Sequence, residues 1–182
     1  MALSPDKAQT TLEYLKDRQD ILDCIVREAR SRDRHDEAMI ASCYWEDATN
    51  ESGSGVTPAS EFPAAANRGH AASFAATSHN ITNHSCELSG DTAYCESYVI
   101  GGLLSPDENK CKFVGSRYID QLERRGEEWR ILRRRTIIDL VAEGDAAWLR
   151  QLALAGFLKG ARSKDDPSYR RPVAPGPADA RW

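Results

Sequence analysis

Two ionisable side chains, far apart in the sequence, could together remove a proton from carbon. Asp33 lies in the charged run Arg30–Asp36, and His79 follows 46 residues later at the start of an alternating, strand-like stretch. A carboxylate that accepts from one imidazole N–H fixes the tautomer and leaves the other nitrogen as a base. The alternative is a half-buried histidine and an aspartate at a helix C-terminus, where its charge opposes the helix dipole. Because that placement is unfavourable for stability, it favours a functional role for Asp33.

Two more charged residues are candidates for a pocket beside this pair. Alternation along the last predicted strand places Arg134 on the face of Leu132 and Thr136, which would suit a pocket wall. A surface salt bridge would explain Arg134 equally well. Glu28 precedes Asp33 by five residues, or about 140° around a helix. It would pair either with a neighbouring arginine on a solvated face or with Arg134 inside the pocket.

Residues of the two middle strands add further candidates for substrate binding. In strict alternation Tyr118 and Asp120 share one strand face and Arg117 points away. We expect Asp120 to serve structure, and Arg117 has either a structural or a binding role. Asn83 shares the face of His79, two pleats further on, and could donate to a substrate.

The other histidines are not assigned a role. His70 lies in a predicted helix without an evident acid partner. We expect His35 and His84 to face solvent or to pack locally.

The elements that must position these residues follow from hydrophobic periodicity and turn residues. Helices are predicted over 8–32, 36–44, 64–76 and 145–159, and strands over 45–50, 79–88, 92–104, 111–124 and 129–141. The connections between the four long strands have hairpin length, so an antiparallel meander is expected. The predicted fold is an α+β cone, with three N-terminal helices packed on a curved antiparallel sheet, followed by an extra C-terminal helix. One domain spans 1–160, and the Pro-, Arg- and Asp-rich tail 161–182 is expected to be extended or disordered.

Composition and length exclude several classes of function. The 182 residues carry a net charge of −4, which gives no cationic field for nucleic acid. The five cysteines are scattered without a CxxC pair, so no zinc site is expected. We expect a reduced, cytoplasmic protein. Neither an apolar leader nor an apolar run of membrane-spanning length is found, so no membrane partner is expected.

Four stretches in the chain resemble SnoaL-like proteins of the nuclear-transport-factor-2 superfamily. They lie in the family's order and spacing within about residues 9–142: Ile21–Asp36, Thr77–His84, Val114–Arg125 and Trp129–Thr136. The resemblance implies the cone-shaped α+β barrel. It says less about chemistry, because the same fold hosts isomerases, dehydratases, cyclases, oxygenase small subunits and binding proteins.

Within the superfamily the chain is most similar to lyases of the scytalone dehydratase and hexachlorocyclohexane dehydrochlorinase types. The resemblance implies that Asp33 and His79 form the catalytic dyad and that Arg134 and Tyr118 line the cavity. Glu28 stands where the dehydrochlorinase type has lysine and many members have tyrosine. No cofactor or metal is implied. The implied partners are a small apolar or aromatic substrate and further copies of the chain, as a trimer or dimer.

The expected reaction is an elimination that releases water, halide or formaldehyde after His79 removes a proton. Two other classes stay open: an isomerase or cyclase with the same proton-transfer residues, and a non-catalytic binding module or oxygenase subunit. A face around Trp148 and Phe157 could dock a partner in the last case. The tail segment Asp165–Tyr169 could cover the cavity mouth.

Overall fold

A computed structural model of the chain describes residues 5–53, 55–151, 154–173 and 180–182. Its elements are α1 (Pro5–Asp33), α2 (Glu37–Ser42), β1 (Tyr44–Ser52), β2 (Gly55–Pro58), α3 (Phe62–Ser73), β3 (Ala76–Ser89), β4 (Thr92–Leu104), β5 (Lys110–Arg125), β6 (Glu128–Asp145) and two 3-10 turns (Ala147–Arg150 and Pro167–Tyr169). The three N-terminal helices and the four long strands predicted from the sequence are confirmed. β2 is an addition, outside the helices and strands predicted from the sequence.

Helix α1 packs one stripe of side chains against the sheet. Ile21, Cys24, Ile25, Glu28 and Ala29 are buried, at the spacing of a single helix face. The buried stripe therefore includes a glutamate, which needs a partner in the interior. The helix ends at Asp33, so the first candidate catalytic residue lies where α1 meets the sheet.

The six strands form one sheet in the order β2-β1-β6-β5-β4-β3. Strands β3 to β6 pair antiparallel with their chain neighbours, which confirms the meander. β1 pairs parallel with β6, so the sheet is mixed and not antiparallel throughout as predicted. The reason is connectivity: β1 reaches β6 across the sheet and not through a hairpin. The α+β cone itself is confirmed, with the core between the helices and the inner sheet face.

The predicted C-terminal helix over 145–159 is wrong for the described part of that range. β6 stays paired with β5 as far as Asp145, opposite Lys110, so the strand extends into the predicted helix. A single 3-10 turn follows, and Gly156 has φ 92°, which an α-helix does not accommodate. The turn and the glycine therefore interrupt the helix that the local propensity of this Ala- and Leu-rich segment predicted. Residues 152 and 153 lie outside the described residues.

The described part of the tail lies against the helices. Asp166 is buried and caps the 3-10 turn Pro167–Tyr169 by accepting from the backbone N–H of Ser168 at 2.9 Å. The Tyr169 hydroxyl donates to Asp36 at 2.8 Å, next to the end of α1. None of the described helices combines the length and apolar character needed to cross a membrane.

Candidate active site

Asp33 and His79 are in direct contact. The Nδ1 atom of His79 lies 2.6 Å from Oδ1 of Asp33. The other carboxylate oxygen accepts from the backbone N–H of His79 at 2.8 Å, and Thr77 donates its hydroxyl to Oδ1 at 2.8 Å. Three donors therefore hold one carboxylate at the point where the end of α1 meets the first residues of β3.

These contacts keep Asp33 ionised and fix the orientation of the His79 ring. Burial would raise the pKa of Asp33, but the hydrogen bonds from His79 and Thr77 outweigh it and lower the pKa below the ordinary value. An ionised carboxylate only accepts, so Nδ1 of His79 carries a proton and donates. In the neutral form of this ring Nε2 is unprotonated, and no side chain within the described parts of the chain hydrogen-bonds to it. This is the geometry of a general base.

A second imidazole lies against the first. The rings of His70 and His79 are stacked, with centroids 5.4 Å apart and an interplanar angle of 15°. Nε2 of His70 is 3.3 Å from a terminal nitrogen of Arg32. Because a guanidinium only donates, Nε2 must accept and Nδ1 must carry the proton. Nδ1 of His70 is buried and has no hydrogen-bond partner among the described residues.

His70 remains neutral at physiological pH. Burial, together with the positive charge of Arg32, lowers its pKa to about 3. A neutral imidazole with an unpaired N–H can donate to an oxygen that gains negative charge. His70 is thus a hydrogen-bond donor next to the base His79.

Arg32 contacts His70, and the sequence reasoning missed it. One terminal nitrogen donates to the Tyr118 hydroxyl at 3.1 Å, the other contacts His70, and the buried Nε has no partner among the described residues. The available signal was its spacing of four from Glu28, which puts both on one helix face. His70 gave no such signal, because its neighbours come from α1 and β3.

Arg134, predicted to bind substrate, is fully engaged by protein groups. Asp120 accepts from its Nε and from a terminal nitrogen at 2.7 Å each, and Glu28 accepts from the other terminal nitrogen at 2.5 Å. The guanidinium also lies 4.1 Å from the centre of the Tyr118 ring. All four side chains are buried, so this cluster fills the cone interior and leaves Arg134 without a free face for a ligand.

The pairing of Glu28 with Arg134 inside the fold is one of the two arrangements expected from the sequence. The other carboxylate oxygen of Glu28 accepts from the Tyr44 hydroxyl at 3.2 Å, and Asn50 donates to the same hydroxyl at 3.1 Å. Tyr118 faces the interior as alternation predicts. The structure therefore makes Glu28 a buried counter-ion of Arg134, and it connects Tyr118 to His70 only through Arg32.

Asn83 does not share the face of His79. A β-bulge between Ile81 and His84 inserts one extra residue in β3, which inverts the alternation beyond it. Asn83 is exposed as a result, and His84 takes the inward position and hydrogen-bonds Ser97 at 2.9 Å. The prediction that Asn83 shares the face of His79 is wrong for this reason.

Arg117 also lies away from the dyad. It points to the outer sheet face, where it pairs with both oxygens of Asp139 at 2.8 Å and with Glu96 at 3.0 Å. The structure thus gives Arg117 surface ion pairs and does not bring it to the site.

The dyad borders a surface pocket of about 280 Å³ between α1 and β3. Asp33 and His79 line it together with Arg30 and Arg34. The tail supplies partners for both arginines: Ser168 lies 3.0 Å from Arg30, and Asp166 pairs with Arg34 at 3.3 Å. Asp166 and Ser168 of the tail therefore contact side chains that line this pocket beside the dyad.

The comparison with protein families gives a match over residues 13–135, which is more than half of the chain, to the SnoaL-like domain. The chain belongs to the SnoaL-like family. Its fold is that of the nuclear-transport-factor-2-like superfamily, as the sequence resemblance implied. A comparison with curated protein sequences gives no significant match.

Solved structures with the same fold include a hexachlorocyclohexane dehydrochlorinase, LinA type 2, at TM-score 0.68 and 23% identity over 74% of this chain and 93% of that one. A putative scytalone dehydratase from Novosphingobium aromaticivorans has TM-score 0.66 and 18% identity, covering 72% and 90% of the two chains. A point variant of Rv3472 from Mycobacterium tuberculosis, a protein of unknown function, has TM-score 0.62 and 25% identity, covering 76% and 78%. At these identities the likeness establishes the fold of this SnoaL-like protein, while its chemistry must be argued from the site.

Proposed function

We propose that this protein is a cofactor-independent lyase, which removes a proton from its substrate and eliminates water, halide or formaldehyde. The proposal rests on the 2.6 Å hydrogen bond between Asp33 and His79, which leaves Nε2 of the imidazole available as a base. Structural likeness to a dehydrochlorinase and a putative dehydratase supports this reaction class.

When water or halide is lost, Nε2 of His79 takes a proton from carbon, the electron pair of the C–H bond forms the new double bond, and the leaving group departs with the pair of its own bond. When formaldehyde is lost, Nε2 takes the O–H proton of a hydroxymethyl group instead, and the O–H pair forms the carbonyl of formaldehyde. The C–C bond then breaks, and its pair forms the new double bond as a hydroxyl on the next carbon leaves as water. Asp33 stabilises the imidazolium formed on His79, and the proton passes to the leaving group or to solvent. Each atom in this step comes from the substrate or from the dyad, so no cofactor is required.

His70 has the second role in this proposal. Its unpaired Nδ1–H would donate to an oxygen of the substrate, either the departing hydroxyl or a carbonyl that gains charge. Arg32 fixes the required tautomer by donating to Nε2 at 3.3 Å. Arg134 is not given a substrate contact, because both carboxylate partners already bind it.

The pocket beside the dyad favours a small apolar or aromatic substrate. Val26, Ala29 and Ile81 line it next to His79. Apolar walls with a few polar groups are typical of sites for small apolar molecules. We therefore propose a small apolar or aromatic compound that carries an oxygen near the abstracted proton.

An isomerase is the second candidate. The dyad can return the proton to a neighbouring carbon as readily as it removes it, since nothing at Asp33 and His79 depends on a leaving group. Incubation in D₂O separates the two candidates: an isomerase gives a product of unchanged composition apart from deuterium, and a lyase gives two products.

The test uses aryl compounds with an activated C–H beside a hydroxyl, halide or hydroxymethyl group, with products followed by mass spectrometry. His79→Ala and Asp33→Asn should each lower kcat by about 10²- to 10⁴-fold. Asn83→Ala, in the same strand but exposed, is the matched control and should keep full activity. Undiminished turnover in both dyad variants would reject the lyase and the isomerase alike.

We also propose that the chain forms a homo-oligomer, with a trimer preferred. The outer sheet face over β4, β5 and β6 exposes large apolar side chains, among them Tyr98, Ile100, Phe113 and Leu140. Apolar area of this kind on a sheet face is typical of an interface. Light scattering after size exclusion should give the mass of a trimer, and Leu140→Lys should shift it toward the monomer. A monomeric wild type would refute the proposal.

A further inference from the structure

Three metal-ligating side chains meet on the inner face of the β3–β4 hairpin, beyond the bulge that follows the dyad. They are His84, Cys86 and Cys95, and one ligand atom of each lies within 4.8 Å of the others. Cys86 and Cys95 are directly opposite in the strand pairing. Both thiols are free and buried, with 8% and 4% of the residue surface exposed. The hairpin thus assembles a set of ligands that the scattered sequence positions did not reveal.

His84 has one ring nitrogen engaged and one unpaired. Nδ1 lies 2.9 Å from the Ser97 hydroxyl, while Nε2 is buried without a hydrogen-bond partner among the described residues. A buried polar atom without a partner is unfavourable. A metal-bound histidine typically has this arrangement, with the second nitrogen held by an outer hydrogen bond. The orphaned nitrogen is therefore an observation independent of the two cysteines.

The other thiol pair lacks these features. Cys24 and Cys43 are also buried neighbours, but each thiol donates to a backbone carbonyl. The Cys24 thiol donates to the Cys43 carbonyl at 3.5 Å, and the Cys43 thiol donates to the Met39 carbonyl at 3.2 Å. No histidine joins them in the part of the chain that the structure describes. This pair is therefore a natural control for the first.

We propose that His84, Cys86 and Cys95 form a three-coordinate site for Cu(I). Thiolate ligands select soft cations such as Cu(I) and Zn(II). A structural zinc site almost always has four ligands. The nearest acid, Asp120, pairs with Cys95 in the sheet register, and Arg134 occupies both of its oxygens. With three ligands of the N,S,S type, a monovalent soft cation fits better than zinc.

The charge of the complex also suits this position. Binding would displace one proton from each thiol into solvent, so that Cu(I), two thiolates and a neutral imidazole carry a net charge of −1. Arg18 lies beside the site and donates to the Cys86 carbonyl at 2.7 Å. Its positive charge would offset that of the complex. Because protons are released, affinity should fall as the pH is lowered.

The test is an anaerobic titration of the reduced full-length protein with Cu(I) against a chromophoric Cu(I) chelator. We expect one equivalent to bind, with X-ray absorption showing two sulfur neighbours and one nitrogen neighbour. Cys86→Ser and Cys95→Ser should lose the site, and Ser97→Ala should weaken it about 10- to 100-fold. The double variant Cys24→Ser/Cys43→Ser should bind as the wild type does.

Several results would overturn the proposal. They are substoichiometric binding to the wild type, a coordination shell without nitrogen, and binding that survives in Cys86→Ser but is lost in the Cys24→Ser/Cys43→Ser control. A Cys86–Cys95 disulfide in the protein as isolated, seen as a mass two hydrogens lower, would also overturn it. The absorption measurement uses only wild-type protein, so misfolding of a variant cannot decide the outcome.

Discussion

Replacing Arg134 by methionine removes the cation shared by two buried carboxylates. Arg134, Glu28 and Asp120 are 1%, 0% and 2% exposed, and three hydrogen bonds of 2.5–2.7 Å join them. Methionine fills similar volume but leaves both acids without their counter-ion in the interior. The prediction is therefore a large loss of stability, whatever the effect on activity.

The size of the loss follows from the cost of an uncompensated buried charge. Removing one partner of a buried ion pair costs about 3–5 kcal/mol. In a chain of this length each kcal/mol shifts Tm by roughly 2–4 °C, so a decrease on the order of 10 °C is expected. Glu28→Gln and Asp120→Asn, added to Arg134→Met, should recover part of the loss because the stranded charges disappear.

Urea unfolding followed by circular dichroism measures the effect. The matched control is Arg135→Met on the same strand. The Arg135 side chain is 69% exposed and its partner Glu51 is 44% exposed. Such surface pairs contribute about 0–1 kcal/mol. Equal, small losses in the two variants would refute the structural role of Arg134. Lost activity without lost stability would instead restore Arg134 as a substrate ligand.

The Arg134→Met defect should also depend on pH. Burial raises the pKa of Asp120, although Arg134 opposes the shift. A raised folded pKa makes ionisation unfavourable for the fold, so that this contribution to stability is present at low pH and is lost as the pH rises. Without Arg134 the ionisation of Asp120 becomes still less favourable in the folded state. The difference in free energy of unfolding between Arg134→Met and the Arg135→Met control should therefore decrease as the pH falls.

Three further predictions concern Asp33, His70 and the tail. The lowered pKa of Asp33 means that its stabilising contribution is complete above the unfolded carboxyl pKa of about 4 and is lost below it; Asp33→Asn should remove this acid sensitivity from urea unfolding curves. With a pKa of about 3, His70 should show no ring titration by NMR between about pH 5 and 8. An unperturbed histidine, with a pKa of about 6.5, titrates in that range, so a titration of His70 there would contradict the burial argument. Tyr169→Phe removes the 2.8 Å hydrogen bond to Asp36, which should cost about 1 kcal/mol locally and hasten proteolysis after residue 160; an unchanged cleavage rate would argue against the tail being held there.

Local pattern was sufficient for most of the elements and for part of the site, but not for β2 or for the segment that follows β6. Helix α1 and the four long strands follow from periods of 3.6 and 2. Resemblance to SnoaL-like proteins put Asp33 at the end of that helix and His79 at the start of β3, and the two side chains are in contact. These inferences depend on short-range spacing or on four motifs in order, and both are visible in a sequence.

Bulges determined which residues face inward. The extra residue between Ile81 and His84 inverts the face of β3, so Asn83 turns out and His84 turns in. A second irregularity, opposite Gln121 and Leu122, puts Ile131 on the core side together with Arg134. Strict alternation had separated Ile131 and Arg134, because a bulge depends on the partner strand and has no local signature here.

Partners across the fold were decided by the tertiary structure alone. The sequence by itself determined the three N-terminal helices, the four long strands, the candidate dyad and the presence of charges such as Arg134 and Glu28. Only the packing of α1 and α3 on the sheet brought His70 against His79, and only β5 and β6 gave Arg134 its second carboxylate. The physical reason is that the role of an ionisable group depends on which opposite charge and how little water surround it. Both are set by contacts between residues that are remote in sequence.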